Sequence, residues 1–427
     1  MDFATIFAAA IFLIAFFFIA SEKVHKTIVA ILAIFVLSCG KIFLNSEKTQ
    51  LAEILSFVDF DVLGIIIGLM IVVRFLEKSG VFTALAMKIV LWEHGNMKMI
   101  FASLMFLAAI LSFFLSNVAT VMILTPVFLV ISMRFKIDPR PFFFTEILVV
   151  NFAGIATPIA DVANMIISSR AGFSFSKIFL NLAGFSIFAV AVAIFLAIAI
   201  FRKKLCSPPP EDLADLKKEN WIEDSDLARK SFAVLILILI GFFTHDFLQI
   251  ENGLIALSGA MFLILIAKKS PQSAFELVEW PIVFFFFGLF ALVGSLEKVG
   301  IIEHFATSLA TFFDGNFVAL IFAILFGAAI FSAFVDNIPF ATAMIPVIFS
   351  IGAKSAIPIE PLFFALILGC CFGGAGTLVG ASPNLIIAGI AEQNDAPISF
   401  GQYFKFAFPI MIFGVLLAAI FLFLFQI

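Results

Sequence analysis

Two aspartates, Asp161 and Asp336, stand inside stretches otherwise built almost entirely from small and apolar residues. A carboxylate at bilayer depth costs about 2.5–3.5 kcal/mol on insertion scales and marks a functional site by default. Such a group can exchange a proton for a cation. The residues around the two aspartates fit that chemistry. Ser116-Asn117-Val118-Ala119-Thr120 and Asp336-Asn337-Ile338-Pro339-Phe340 each place a small polar residue and an Asn where a helix can begin. Two further polar interruptions run from Gly154 through Thr157, Asp161 and Asn164, and from Gly373 through Thr377, Ser382 and Asn384. Side-chain oxygens and freed carbonyls suit a dehydrated Na⁺, so a sodium site is expected at Ser116, Asn117, Asp336 and Asn337. Exposed N–H groups at a helix start suit an anion. No Lys or Arg falls in these four segments, which favours a cation or a neutral solute over a dianion. Against this stands a purely structural reading. Ser-Asn and Asp-Asn are good helix caps, Pro339 fits a first turn, and Asp161 can pair with Asn151 or Asn164. Four such places in matched pairs tip the balance towards binding.

Other chemistry is weaker. Glu146 offers a second proton site or a polar contact near a span end. Cys370-Cys371 can meet a thiophilic guest, though buried Cys is more often a small hydrophobe. The chain carries no Gly-x-x-x-x-Gly-Lys-Ser/Thr, hence no P-loop for cleaving ATP. His25, His94, His245 and His304 are scattered and suggest no metal cluster, and no cofactor or nucleic-acid partner is implied.

The elements that must position these residues are membrane helices. Of 427 residues, 63% are hydrophobic and 13% charged, and the mean hydropathy is +1.21. A soluble domain carries about 25% charged residues, so the solvent of this chain is lipid. Apolar runs near the roughly 20 residues needed for a crossing recur along it, and alternating strands are absent, which predicts an all-α polytopic protein. Residues 1–20 lack a basic start and read as the first span, not a signal peptide.

One register decides the organisation. Phe106–Asn117 reappears as Phe326–Asn337, a shift of 220 residues. The same shift carries Leu76-Glu77-Lys78 onto Leu296-Glu297-Lys298, Pro126 onto Pro346, and Phe152, Gly154, Thr157 and Asn164 onto Phe372, Gly374, Thr377 and Asn384. Two repeats follow, 1–201 and 231–427, joined by a polar linker at 202–230. Each reads as about five transmembrane helices plus a re-entrant hairpin. In the first half the pieces are 3–20, 26–45, 61–77, hairpin 99–134, 141–168 and 174–201. In the second they are 231–248, 252–267, 281–297, hairpin 316–350, 361–388 and 402–426. Segments 81–92 and 301–312 read as amphipathic. Five crossings is odd, so the second repeat enters inverted. Of 25 Lys and Arg, Lys41, Lys48, Arg170, Lys177, Lys298 and Lys354 lie on one side, Arg74 lies within a span, and eighteen lie on the other side. Cytoplasmic loops carry the basic excess, which places both termini outside and the linker in the cytoplasm of an inner-membrane protein.

The same motifs, Ser116-Asn117-Val118-Ala119-Thr120, Asp336-Asn337-Ile338-Pro339-Phe340 and Gly376-Thr377-Leu378-Val379-Gly380-Ala381-Ser382, resemble the ion transporter superfamily. The branch they resemble is that of the arsenite permease, the NhaD-type antiporter and the melanosomal P protein, with its citrate-transporter-like domain. Relatives of the P protein carry Gly-Asp-Pro-Pro-Asn in the first break. This chain keeps Asp161 and Asn164 there without the prolines. The resemblance implies inverted repeats, a homodimer and an elevator-type cycle.

The expected function is therefore secondary transport coupled to H⁺ or Na⁺, exporting a small inorganic solute such as arsenite, an uncharged hydroxide at neutral pH. Na⁺/H⁺ antiport is the alternative, followed by citrate or dicarboxylate symport and by a passive anion channel. A partner ATPase is compatible with the sequence, and an enzyme is not expected.

Overall fold

The computed structural model describes residues 3–21, 24–44, 49–93, 96–205, 221–313, 316–355 and 357–425. Among them every regular element is helical. The first half runs α1 (Phe3–Ser21), α2 (Lys26–Cys39), α3 (Gln50–Phe57), α4 (Phe60–Lys78), α5 (Val81–Trp92), α6 (Met97–Phe114), α7 (Asn117–Phe135), α8 (Arg140–Ala153), α9 (Val162–Ala171) and α10 (Phe175–Phe201). The second runs α11 (Ser225–Leu248), α12 (Asn252–Ile266), α13 (Pro271–Phe275), α14 (Trp280–Lys298), α15 (Ile301–Phe312), α16 (Phe317–Phe334), α17 (Asn337–Ser355), α18 (Glu360–Gly376), α19 (Ser382–Gln393) and α20 (Phe400–Phe425). Most of the expected linker, 206–220, lies outside the described residues, and α11 begins within its expected end.

Local chemistry explains the boundaries. Asn96 and Asn316 each cap a hairpin helix by accepting the N–H of Met99 or Ala319, at 3.4 and 3.0 Å. Gly80 and Gly300 both sit at φ +76°, turning the chain from α4 into α5 and from α14 into α15. That left-handed conformation is one a Cβ disfavours.

Eight described helices are long and apolar enough to cross a membrane, or nine if α3 and α4, bent by 66°, are taken as one span. The sequence pattern predicts ten crossings besides the hairpins. Four of the eight are hairpin helices, so four of the ten expected crossings are met, five with the α3–α4 pair; α1, α2 and α12 fall short in length, and both fourth spans are broken after α8 and α18. Both hairpins are present, α6–α7 and α16–α17, each joined by only two residues. Exposed apolar side chains such as Phe247, Leu180 and Phe312 clothe the outside, where lipid is their natural solvent.

The helices pack as two groups. In one, α4 lies on α12 and α11, and α2 lies on α14 and α1. In the other, α8 and α18 form a buried centre, covered by α6, α10, α16 and α20. Hairpin helix α7 packs on α19 of the other half, and α17 on α9. These contacts are reciprocal. Phe152 stacks edge-on against its own repeat mate Phe372, with ring centroids 4.6 Å apart. Asn151 donates to Asn384 at 3.0 Å, while its mate Cys371 lies 3.3 Å from Asn164.

Candidate functional site

Both hairpin tips converge on Asp161. The side chain of Ser116 caps α7 by accepting the Ala119 N–H at 3.2 Å, and Asp336 accepts the Ile338 N–H at 3.2 Å. This turns Asn117 and Asn337, the first residues of α7 and α17, inward. Asp161 is the cap of α9, taking the Ala163 N–H at 2.8 Å, and it is almost wholly buried. Asn337 donates its amide to both Asp161 oxygens, at 3.0 and 3.3 Å, and Asn117 approaches from the other side at 3.3 Å. A buried carboxylate held only by neutral amides is one whose charge remains to be matched.

Asn117 can satisfy its surroundings another way. With its amide turned over, the nitrogen donates to the Ala160 carbonyl at 3.2 Å and the Val150 carbonyl at 3.1 Å. Its oxygen then faces the Asp161 carboxylate.

A cavity with about 120 Å³ of room for water-sized guests lies against this cluster, lined by Ser116, Asn117, Asp161, Asn337 and Ser382, together with Lys26. The starts of α7, α9, α17 and α19 all open on it. Their N-terminal dipole ends partly offset the negative charge of the two aspartates.

The remaining expected residues build the site more than they face it. Thr157 donates its hydroxyl to the Phe113 carbonyl at 2.6 Å, and its mate Thr377 does the same to Ala333. Each ties a helix break to the last turn of its hairpin, where carbonyls lack helical partners. Asn164 donates to the Gly154 carbonyl at 2.8 Å and Asn384 to the Gly374 carbonyl at 2.7 Å, closing the two breaks alike. Thr120 is buried with its hydroxyl unpaired. Asp336 sits behind the lining, bonded to Ser382 at 3.0 Å. Glu146 is fully buried in α8, accepting from Thr125 at 2.9 Å. Among the described residues no group of three or more His, Cys, Asp or Glu is arranged to hold a metal.

Comparison with known proteins agrees with this architecture. The family model described as citrate transporter (CitMHS) matches residues 16–369. The chain belongs to the citrate transporter family. Membership makes it a membrane transport protein, not an enzyme. It is 32% identical to an uncharacterized transporter of Mycobacterium tuberculosis over 98% of both chains. It is 28% identical to the P protein of Homo sapiens over 95% of this chain and 58% of that one, in line with the resemblance read from its motifs. Among solved structures it is similar in fold to Neisseria gonorrhoeae MtrF, described with a class of antimetabolite efflux pumps. The TM-score is 0.60 at 14% identity, covering 88% of this chain and 84% of that one.

In this citrate-transporter-family protein the absence of basic residues from the four motifs does not carry over to the site. Lys26, the first residue of α2, reaches Ser382 at 3.1 Å and Asp336 at 3.5 Å. Arg74 of α4 binds Glu279 at 2.6 Å and Glu77 at 2.8 Å, where a second cavity meets the first along Ser116, Val118 and Glu279. Lys26 and Asp336 are 310 residues apart in the chain, so no local spacing reveals the pair. A lysine opening an apolar helix is the one local anomaly that points to it.

Proposed function

We propose that this protein is a secondary transporter coupled to H⁺ or Na⁺, with Asp161 as the coupling carboxylate and a small uncharged inorganic solute of the arsenite type as its exported cargo. The observation that carries the reading is the meeting of both hairpin amides on one buried carboxylate. Occupancy of Asp161 by a proton or a sodium ion reorders both tips at once, through Asn117 and Asn337.

The repeats 1–201 and 231–427 are read as inverted, joined by a cytoplasmic linker at 202–230. The odd number of crossings and the reciprocal contacts across Phe152 and Phe372 support this. The helices that carry the hairpins then move as one body against the group containing α2, α4, α12 and α14, an elevator-type cycle. The family resemblance adds a homodimer. The mouth at Arg74 and Glu279 lies on the side rich in Lys and Arg, so this is the form open to the cytoplasm.

Na⁺/H⁺ antiport is the second reading, favoured by the single unmatched carboxylate. Lys26 lessens the objection to an anionic cargo such as citrate, yet its ammonium is already engaged by Asp336.

The test uses purified protein in liposomes with a pH-sensitive dye inside, challenged in turn with Na⁺, Li⁺, arsenite and citrate. Proton movement with arsenite alone supports the exporter. Proton movement with Na⁺ or Li⁺ alone makes it an antiporter, and a response to citrate alone makes it a symporter. Asp161→Asn is expected to remove the coupled signal while leaving an inserted, folded protein. Full activity in that variant sinks the coupling role.

A further inference from the structure

We infer that Lys26 is the residue that fixes the charge the cavity accepts: its ammonium acts as a built-in counter-ion to Asp336, so that a single cation, at Asp161, completes the site. The inference rests on reading Asp161 as the coupling carboxylate and adds a residue and a charge count to that reading.

Lys26 stands where local preference opposes it. It is the first residue of α2, and a cation at a helix N-terminus meets the positive end of the dipole. A residue that breaks a local rule without local gain marks a functional position. It also does not behave as a lysine reaching for water at a span end. Its side chain is only 30% exposed, turned onto Ser382 at 3.1 Å and Asp336 at 3.5 Å, with the Phe285 ring 5.0 Å from the ammonium. The start of α2 is pinned by Thr27, whose hydroxyl donates to the Pro281 carbonyl at 2.6 Å. The ammonium is therefore held in place by a different group of helices from the one that carries Asp336.

The charges at the joined cavities and directly behind their lining can be matched one by one. Glu279 at the mouth is paired with Arg74, which also holds Glu77 outside the lining. Asp336 is paired with Lys26 and also takes the Ser382 hydroxyl. Asp161 receives only amides and a backbone N–H. One negative charge is left, at the point where both hairpins meet. Without Lys26 there would be two, and the cavity would take a second monovalent cation beside Asp336 and Ser382. The counterpart of Lys26 at the start of α12 is Asn252, since Gly253 meets Asp61 where Thr27 meets Pro281, so the second half supplies no equivalent ammonium and the count stays asymmetric.

The experiment measures the unfolding midpoint of the full chain in detergent as NaCl or KCl replaces choline chloride at constant ionic strength. A ligand that binds only the folded state raises the midpoint. Lys26→Met is expected to gain a cation-dependent rise beyond that of the wild type, half-complete at a concentration about tenfold lower. The gain should vanish in the Lys26→Met, Asp336→Asn double variant. Should Lys26→Met not fold, Lys26→Gln takes its place. The charge swap Lys26→Asp with Asp336→Lys should return the wild-type response. A Lys26 variant that responds to cations as the wild type does, or a charge swap that responds as Lys26→Met does, overturns the inference. A wild type indifferent to both salts removes Na⁺ from Asp161 but leaves the Lys26 inference standing if Lys26→Met gains a response.

Discussion

At the scale of single residues, Asp161 and the two hairpin asparagines form one unit. Asn337 gives two hydrogen bonds to the carboxylate and Asn117 one, yet their sequence contexts are equivalent. The asymmetry predicts unequal damage. Asn337→Ala leaves Asp161 without its stronger donor, and a buried group deprived of its partner costs about 1–3 kcal/mol. Asn117→Ala removes a weaker contact with Asp161, but it also empties a pocket beneath Gly154, whose backbone sits close against the Asn117 amide. Both variants should lower coupled transport, and Asn337→Ala should lower the unfolding midpoint more. A midpoint loss confined to Asn117→Ala would show that the second tip is only a cap. This part of the site was legible in the sequence, because capping residues and Asn pairs recur in fixed register. Lys26 was not, since its role depends on how α2 lies against the second hairpin, and no spacing along one chain encodes that.

At the scale of elements, the two helix breaks are closed by the same parts. Thr157 and Thr377 donate to carbonyls of the preceding hairpin helices, and Asn164 and Asn384 bridge back to Gly154 and Gly374. Read from sequence, these four polar residues look like ligands, because polarity inside a span suggests a guest. The structure gives them backbone partners instead, since a chain leaving a helix within a membrane must satisfy its own carbonyls. Their effect should therefore be on stability. Thr157→Val and Thr377→Val each remove a buried hydroxyl donor and are expected to lower stability by about 1–2 kcal/mol, with cation dependence of transport retained. The measurement is the unfolding midpoint of each variant beside its transport rate at saturating cation. A change in apparent cation affinity at unchanged stability would return these threonines to the binding set. The expected spans at 174–201, 281–297 and 402–426, where the apolar run is unbroken, were close to the observed α10, α14 and α20. They were least informative at 141–168 and 361–388, where hydropathy continues through a backbone that has stopped being helical.

At the scale of the whole molecule, two ion pairs among the described residues join the hairpin-bearing helices to the group of α2, α4, α12 and α14, and they lie at different depths. One is Lys26 with Asp336 and Ser382, beside the cavity. The other joins α9 to the α3–α4 corner. Arg170 forms an ion pair with Asp59 at 3.4 Å and donates to the Phe57 carbonyl, its guanidinium lies 5.5 Å from the Phe290 ring, and Ser169 donates to Asp59 at 2.8 Å. On the proposed topology Arg170 belongs to the side poor in Lys and Arg, opposite the mouth at Arg74. If the hairpin-bearing helices move as a body, this second tie holds the far side closed in the present form and must break before the cavity reaches it. Arg170→Ala should then increase access from that side. A Ser382→Cys thiol in a chain whose four natural cysteines are replaced should react with a membrane-impermeant reagent from the linker side only. Adding Arg170→Ala should raise reaction from the opposite side several-fold, whereas Arg74→Ala should leave that side unchanged. Equal labelling from both sides without Arg170→Ala would mean that the cavity is an open pore, and the elevator reading would give way to that of a channel.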